Sequence, residues 1–138
     1  MPRRTRRDRQ RRAHKQSRQK KRRVRNKKGV KYMVTFDEFK KLEIKVAEIK
    51  EAKEHPNADK LYVVKIDIGG EERQVVAGIK DFYKAQELIG KKVVAIVNLK
   101  PATIRGEESA GMILACRDDK GLCLLVPEKD MEIGSKIS

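Results

Sequence analysis

Asn98, Lys100, Arg105, Ser109 and Met112 lie close together in the stretch NLKPATIRGEESAGMILA, which runs from Asn98 to Ala115. An amide, two long cations, a hydroxyl and a thioether supply hydrogen-bond donors and positive charge, which is the equipment of a binding loop. Lys100 and Arg105 flank a proline-containing segment, and side chains of that length reach phosphates while rigid strands stand behind them. Asn98 closes a strand, where its amide either meets a ligand or ties down the loop backbone. Pro101, Gly106 and Gly111 read as shaping devices, since a missing Cβ permits a sharp bend or a close approach.

Nothing in the chain competes as a catalytic set. The histidines, His14 and His55, stand apart from any activated nucleophile, no G-x-x-x-x-G-K phosphate loop is present, and the acids are scattered through solvated turns. Cys116 and Cys123 sit in apolar strand-like segments and are predicted to be buried, reduced thiols. Two thiols and one imidazole at this spacing match no zinc pattern, so neither a metal nor a cofactor is expected.

The loop must be held by its flanks. Val93 to Leu99 and Met112 to Ala115 are β-branched and apolar and read as buried strands, which puts the loop at a sheet rim. Upstream, Thr35-Phe-Asp-Glu38 has the form of a capping box and predicts a short helix over about Phe36 to Lys41. Leu42, Ile44 and Val46 then alternate with polar residues as a half-buried strand that bends near Ala47 to Ile49. His55-Pro-Asn-Ala-Asp59 is a turn by composition. Tyr62, Val64, Ile66 and Ile68 form a second strand, Gly69-Gly70 a hairpin turn, and Arg73 to Ile79 the return leg. Asp81 is the predicted N-cap of a helix over Phe82 to Ile89 that ends at Gly90. Lys91 to Leu99, Gly111 to Arg117 and Gly121 to Val126 complete the strands. Phe36, Phe39 and Phe82 read as core.

Short strands, glycine-marked turns and a helix between the third and fourth strands suit a mainly β fold, a small oligonucleotide-binding (OB) barrel with short helices. A ferredoxin-like sheet is the rival, but it requires a full helix after the first strand, where Pro56 and turn residues stand instead.

Charge divides the chain. Of its 35 Lys and Arg, 17 lie in residues 1–32 against one acid, Asp8, whereas residues 33–138 are close to neutral although the whole carries +15. Residues 1–32 therefore read as a basic arm, disordered when free, and 33–138 as the folded domain. No run of about 18 apolar residues exists and no apolar leader is evident, so a soluble, cytoplasmic protein with no membrane partner is expected.

HPNADKLYVVKIDIGG, VVAGI, NLKPATIRGEESAGMILA and VPE with a later GSKI, in that order, resemble one known family. It is the tRNA-binding domain shared by the C-terminal region of bacterial methionyl-tRNA synthetase, its free-standing archaeal counterpart, small stand-alone tRNA-binding proteins and a cytokine-like module of higher organisms. The likeness covers roughly Phe36 to Ser138. It implies an OB barrel that grips tRNA by its folded shape, performs no chemistry and, in stand-alone members, forms a homodimer. Partners so implied are tRNA and an aminoacyl-tRNA synthetase to which the protein would be an accessory.

On that resemblance Asn98, Lys100, Arg105, Ser109 and Met112 become RNA-binding candidates, the last two at positions where related proteins carry a hydroxyl and a thioether on the nucleic-acid face. Met112 as core filler is the competing reading. Lys60, after the turn, and Lys65, pointing outward from the second strand, join them. Aromatic residues are too few for a stacking platform, which favours recognition of folded RNA by charge and shape. Arg3, Arg4, Arg6, Arg7, Arg11, Arg12, Arg22 and Arg23 in the arm add electrostatic grip; a ribosome-binding tail and a nuclear address are other readings of the same composition. The apolar C-terminal segment, with Leu125, Met131 and Ile133, is the candidate dimer interface. The alternative function is a peptide-binding, chaperone-like protein on the same barrel, which requires an exposed apolar groove.

Overall fold

A computed structural model of the protein describes residues 31–138. The chain divides into units Met1–Phe36 and Asp37–Ser138, and all strands among the described residues belong to the second. The arm read at residues 1–32 lies, as far as residue 30, outside the described residues.

A single turn of helix, α1 (Phe36–Phe39), precedes the long strand β1 (Ile44–Glu54). Ile44, Val46, Ala47 and Ile49 are buried, whereas residues beyond the bulge between Ile49 and Glu51 are mostly exposed. That bulge lets one strand serve two neighbours. The first half of β1 pairs antiparallel with β4 (Lys92–Ile96), from Ile44 opposite Ile96 to Glu48 opposite Lys92. Its second half pairs with β2 (Tyr62–Asp67), ending with Glu54 opposite Tyr62. A bulge of this kind bends the strand and increases its twist, as closing a small barrel demands.

Tyr62, Val64 and Ile66 face inward as their alternation predicts, and Gly69-Gly70 turns the chain into β3 (Glu72–Ala77). The five-stranded order is β3-β2-β1-β4-β7, with β7 at Met112–Ile113. The two ends of this sheet meet: the Ala110 amide donates to the Gln74 carbonyl at 2.8 Å and the Val76 amide to Ser109 Oγ at 3.0 Å. The sheet is therefore a nearly closed barrel of the OB type. Residues 134–137 line the remaining edge of β1, through Gly134 N to Val46 O at 2.7 Å and Ile137 N to Ile44 O at 2.9 Å.

Ile49, Val64, Ile66, Val75, Val93 and Leu88 fill the interior and are essentially inaccessible to solvent. Burying an aliphatic side chain of this size is worth about 1.5 to 3 kcal/mol, so this cluster is the main stabilising element. The Tyr62 ring is buried with it, and its hydroxyl donates to the Tyr83 carbonyl at 2.7 Å.

Several sequence-based expectations need correction. The second helix, α2, is only Ala85–Leu88 and its N-cap is Lys84, not Asp81. The Phe82 and Tyr83 amides donate to Ile79 O as a turn, and the Glu87 carboxylate accepts from Lys84 N at 2.8 Å. The Asp81 carboxylate instead pairs with Lys60 at 3.2 Å. Phe36 and Phe82 are each 40% exposed and are not core residues; Phe82 lies under the Arg117 guanidinium, 5.5 Å from its ring centre.

Cys116 and Cys123 are exposed rather than buried. They lie on the hairpin of β8 (Ala115–Asp118) and β9 (Gly121–Leu124), where Leu122 and Leu124 take the inward positions and period two turns Cys123 outward. The strand read over Gly111 to Arg117 is two pieces, because at Leu114 the chain passes from pairing with β4 to pairing with β9. No helix among the described residues is long and apolar enough to cross a membrane.

Candidate functional site

The loop after β4 folds into a hairpin of its own, β5 (Ala102–Ile104) and β6 (Glu107–Ser109), with Arg105-Gly106 at the tip. Both tip residues have positive φ, 52° and 92°, as a two-residue turn matched to the twist of the strands requires. Glycine meets this demand at no cost, while Arg105 accepts a conformation disfavoured for most side chains. Its guanidinium reaches back to the Asn57 carbonyl at 3.4 Å.

His55 holds this hairpin to the β1–β2 turn. The ring is 5% exposed. The Asn57 amide donates to Nδ1 at 2.9 Å, which leaves the proton on Nε2 to be donated to the Ile104 carbonyl at 3.0 Å. Asn57 Nδ2 adds a bond to the Arg105 carbonyl at 3.3 Å. The turn that carries Lys60 and the hairpin that carries Arg105 are therefore one connected rim.

The base of the hairpin is fixed to β3. Gln74 Nε2 donates to Glu108 O at 3.0 Å and to Glu107 Oε1 at 3.3 Å. Gln74 stands directly opposite Lys65, and opposed residues of an antiparallel pair share a face. Lys65 thus projects, half-buried, from the face of β2–β3 beside the hairpin. The β2–β3 face and the loops after β1 and β4 are the surfaces with which OB barrels hold oligonucleotides. Lys60, Lys65, Lys100 and Arg105 all occupy them.

The other candidates divide by what their polar atoms already do. Lys100 and Arg105 are exposed, and neither forms an ion pair among the described residues. Met112 is 47% exposed on β7, opposite Ile96. Ser109 is buried: its hydroxyl accepts from Val76 N and donates to Gly111 O at 3.2 Å, so it joins β6 to β3. Asn98 is exposed, but both ends of its amide are engaged, Oδ1 by Glu43 N at 2.8 Å and Nδ2 by Lys41 O at 2.7 Å. Gly111 sits where an added Cβ would lie 3.0 Å from the Ile96 carbonyl, so its role is close packing at the barrel seam.

Three contributors to this site escaped the sequence reading. His55 had the signature of a turn residue only, since its partner Ile104 is 49 residues away and no spacing announces it. Gln74 looked like any polar strand position. Arg73, which the sequence marks only as the start of the return strand, donates from Nη1 to Val97 O at 2.6 Å and from Nε to Glu71 at 2.7 Å, which ties the β3 end of the barrel seam behind this site.

A family model described as "Putative tRNA binding domain" matches residues 44–136. Over 104 residues, 75% of this chain, the sequence is 53% identical to a methionine–tRNA ligase of Thermococcus kodakarensis, of which those residues make up 14%. The chain thus spans about one-seventh of that relative's length. Among solved structures, a MetRS-related protein from Pyrococcus horikoshii superposes with a TM-score of 0.72 at 34% identity, covering 78% of this chain and 100% of that one. A CsaA chaperone protein from Picrophilus torridus gives the same TM-score at 36% identity, over 77% of this chain and all of its own.

Proposed function

As this chain belongs to the tRNA-binding domain family, we propose that it is a non-catalytic protein that holds folded tRNA by shape and by phosphate contacts. It acts alone or as an accessory to an aminoacyl-tRNA synthetase such as methionyl-tRNA synthetase, raising the local concentration of tRNA at its partner in the cytoplasm. One observation carries the reading: His55 and Asn57 join the turn bearing Lys60 to the hairpin bearing Arg105, so that cations from two distant segments stand on one rim.

Lys60, Lys65, Lys100 and Arg105 are the phosphate contacts of this reading, and Met112 packs against a base or sugar. Ser109 and Asn98 serve it by holding the surface in shape, since their polar atoms are spent on the backbone. The arm of residues 1–32, with 17 cations, supplies range and non-specific grip. Two copies pair through the C-terminal segment.

The likeness to a CsaA chaperone supports a second reading, a peptide-binding protein on the same barrel. Filter binding decides between them: full-length and arm-deleted protein is titrated with tRNA, unstructured RNA and an unfolded polypeptide across a salt series. The tRNA reading expects preference for tRNA to persist without the arm. Loss of all RNA binding by the truncated domain at physiological salt overturns it, and tight salt-insensitive polypeptide binding favours the rival.

A further inference from the structure

We propose that Cys116 and Cys123 form a reversible dithiol/disulfide site, oxidised by low-molecular-weight disulfides. The two cysteines are directly opposed in the β8–β9 pair. Directly opposed residues of an antiparallel pair project from the same face, and both thiols are exposed on it.

The register also defines the kind of pair. The Leu125 amide donates to the Leu114 carbonyl at 3.1 Å while the Leu124 amide donates to the Tyr83 hydroxyl at 3.0 Å, so the hydrogen-bonded pairs of this ladder run in register with Leu114 and Leu125, where the Leu114 amide itself turns to Val94 O. Such pairs recur at every second residue, which makes Cys116 and Cys123 another, with a Cα separation of about 5.5 Å. That value is within the roughly 4.4 to 6.8 Å spanned by disulfides. The bond is thus within reach of side-chain rotation. A bridge across strands at such a pair is constrained by the sheet, and constrained, exposed disulfides are the readily reduced ones.

The hairpin's packing does not depend on the thiols. Leu122 and Leu124 on the opposite face pack against the core, and Arg117 covers Phe82. Both cysteines also line an open groove of ≈ 340 Å³ that runs around the end of the hairpin, past Asp118, Lys120 and Gly121, to Arg117 and Leu122.

The exchange balances. One protein thiolate attacks a sulfur of the small disulfide, forming a mixed disulfide and expelling one small thiol. The second thiolate attacks the protein sulfur, forms the Cys116–Cys123 bond and expels the other small thiol. The protein loses two electrons, the reagent gains them, and the two protons end on the released thiols.

The test uses the full chain, incubated natively with oxidised glutathione and read by intact mass. The expected result is loss of the mass of two hydrogens, with both cysteines shielded from alkylation. Trypsin, cutting at Arg117 and Lys120, then leaves two peptides joined until reduced. Cys116→Ser and Cys123→Ser each retain a single glutathione adduct instead. A wild-type protein that keeps two adducts, forms a covalent dimer or remains unmodified overturns the proposal.

Discussion

The imidazole of His55 spans from the β1–β2 turn to the carbonyl of Ile104, with Nε2 at 3.0 Å, and is buried between the two loops it joins. Loops are ordinarily the mobile part of a barrel, and a binding surface made of two of them is only as ordered as the contact between them. Here His55, with a defined proton position, makes the buried part of that contact, and Asn57 and Arg105 add two exposed bonds beside it.

Removing it tests the rim. His55→Ala leaves the Asn57 amide without the ring nitrogen it bonds and takes the imidazole off the Ile104 carbonyl, at a cost of about 1 to 3 kcal/mol in stability. We expect the affinity of the folded protein for tRNA to fall severalfold, because the frame that Lys60 and Arg105 share is then held only by the exposed Asn57–Arg105 bonds. His55→Gln, which can still donate to one carbonyl, recovers part of the loss. Unchanged affinity at a temperature where both variants are folded would detach the hairpin from binding.

Asn98 provides the opposite case. Asn98→Ala removes bonds to Glu43 N and Lys41 O, each worth about 1 kcal/mol net. For a domain of this size each kcal/mol lowers the melting temperature by about 4 to 8 °C. Melting curves and tRNA titrations on the same variant distinguish the roles: stability falls while folded-state affinity holds. An affinity loss larger than the unfolded fraction accounts for would make Asn98 a direct contact.

These two residues also mark how far the sequence could be read. The β2–β3 hairpin was legible because Tyr62, Val64 and Ile66 alternate in a half-buried strand and Gly69-Gly70 close it, all local signals. The β5–β6 hairpin was not, since Thr103, Glu107 and Glu108 carry no apolar alternation; the hairpin stands outside the core and is held by Gln74, Ser109 and His55 from elsewhere. Ser109 and Asn98 were recognisable as special positions, but whether their polar atoms faced a ligand or the backbone depended on partners 33 and 55 residues away. Cys116 misled because an apolar neighbourhood in sequence says nothing about which face of a single hairpin a residue takes.

The basic arm is tested by salt. Deleting residues 1–31 removes 17 cations and should weaken tRNA binding and flatten the dependence of log affinity on log salt, by about 0.7 to 0.9 for each phosphate that the arm neutralises. Preference for tRNA over unstructured RNA should survive. A truncated protein with the full-length salt slope would show that the arm does not touch the nucleic acid.

Acid titration probes how the C-terminal segment is held. Lys92 Nζ donates to Asp130 Oδ1 at 2.8 Å and to Met131 O at 2.6 Å, and that hydrogen bond and charge hold the Asp130 carboxyl below its ordinary value. A carboxylate depressed on folding stabilises the fold above its unfolded value, about 3.9, and loses that contribution as pH falls through the folded one. NMR titration should therefore show Asp130 ionising below an ordinary aspartate, with Lys92→Met returning it to the usual range. An unshifted Asp130 in the wild type would mean that the tie is absent in solution.

The same segment carries the proposed dimer contact. Leu125, Val126 and Met131 are 39%, 51% and 45% exposed, and Ile133 is half-buried beside them in sequence. A two-fold pair buries the same patch on both copies, so one substitution acts twice. Met131→Asp leaves intact the backbone carbonyl that Lys92 holds, yet places a carboxylate in each half of the interface, where an unpaired buried charge is strongly unfavourable. Ile133→Asp should act likewise, although its carbonyl lies close to Gly69 and the change also touches the fold. Light scattering should give a dimer for the wild type and a monomer for Met131→Asp with an unaltered melting temperature at low concentration. A monomeric wild type removes the dimer, and a Met131→Asp protein that remains dimeric moves the contact to another face.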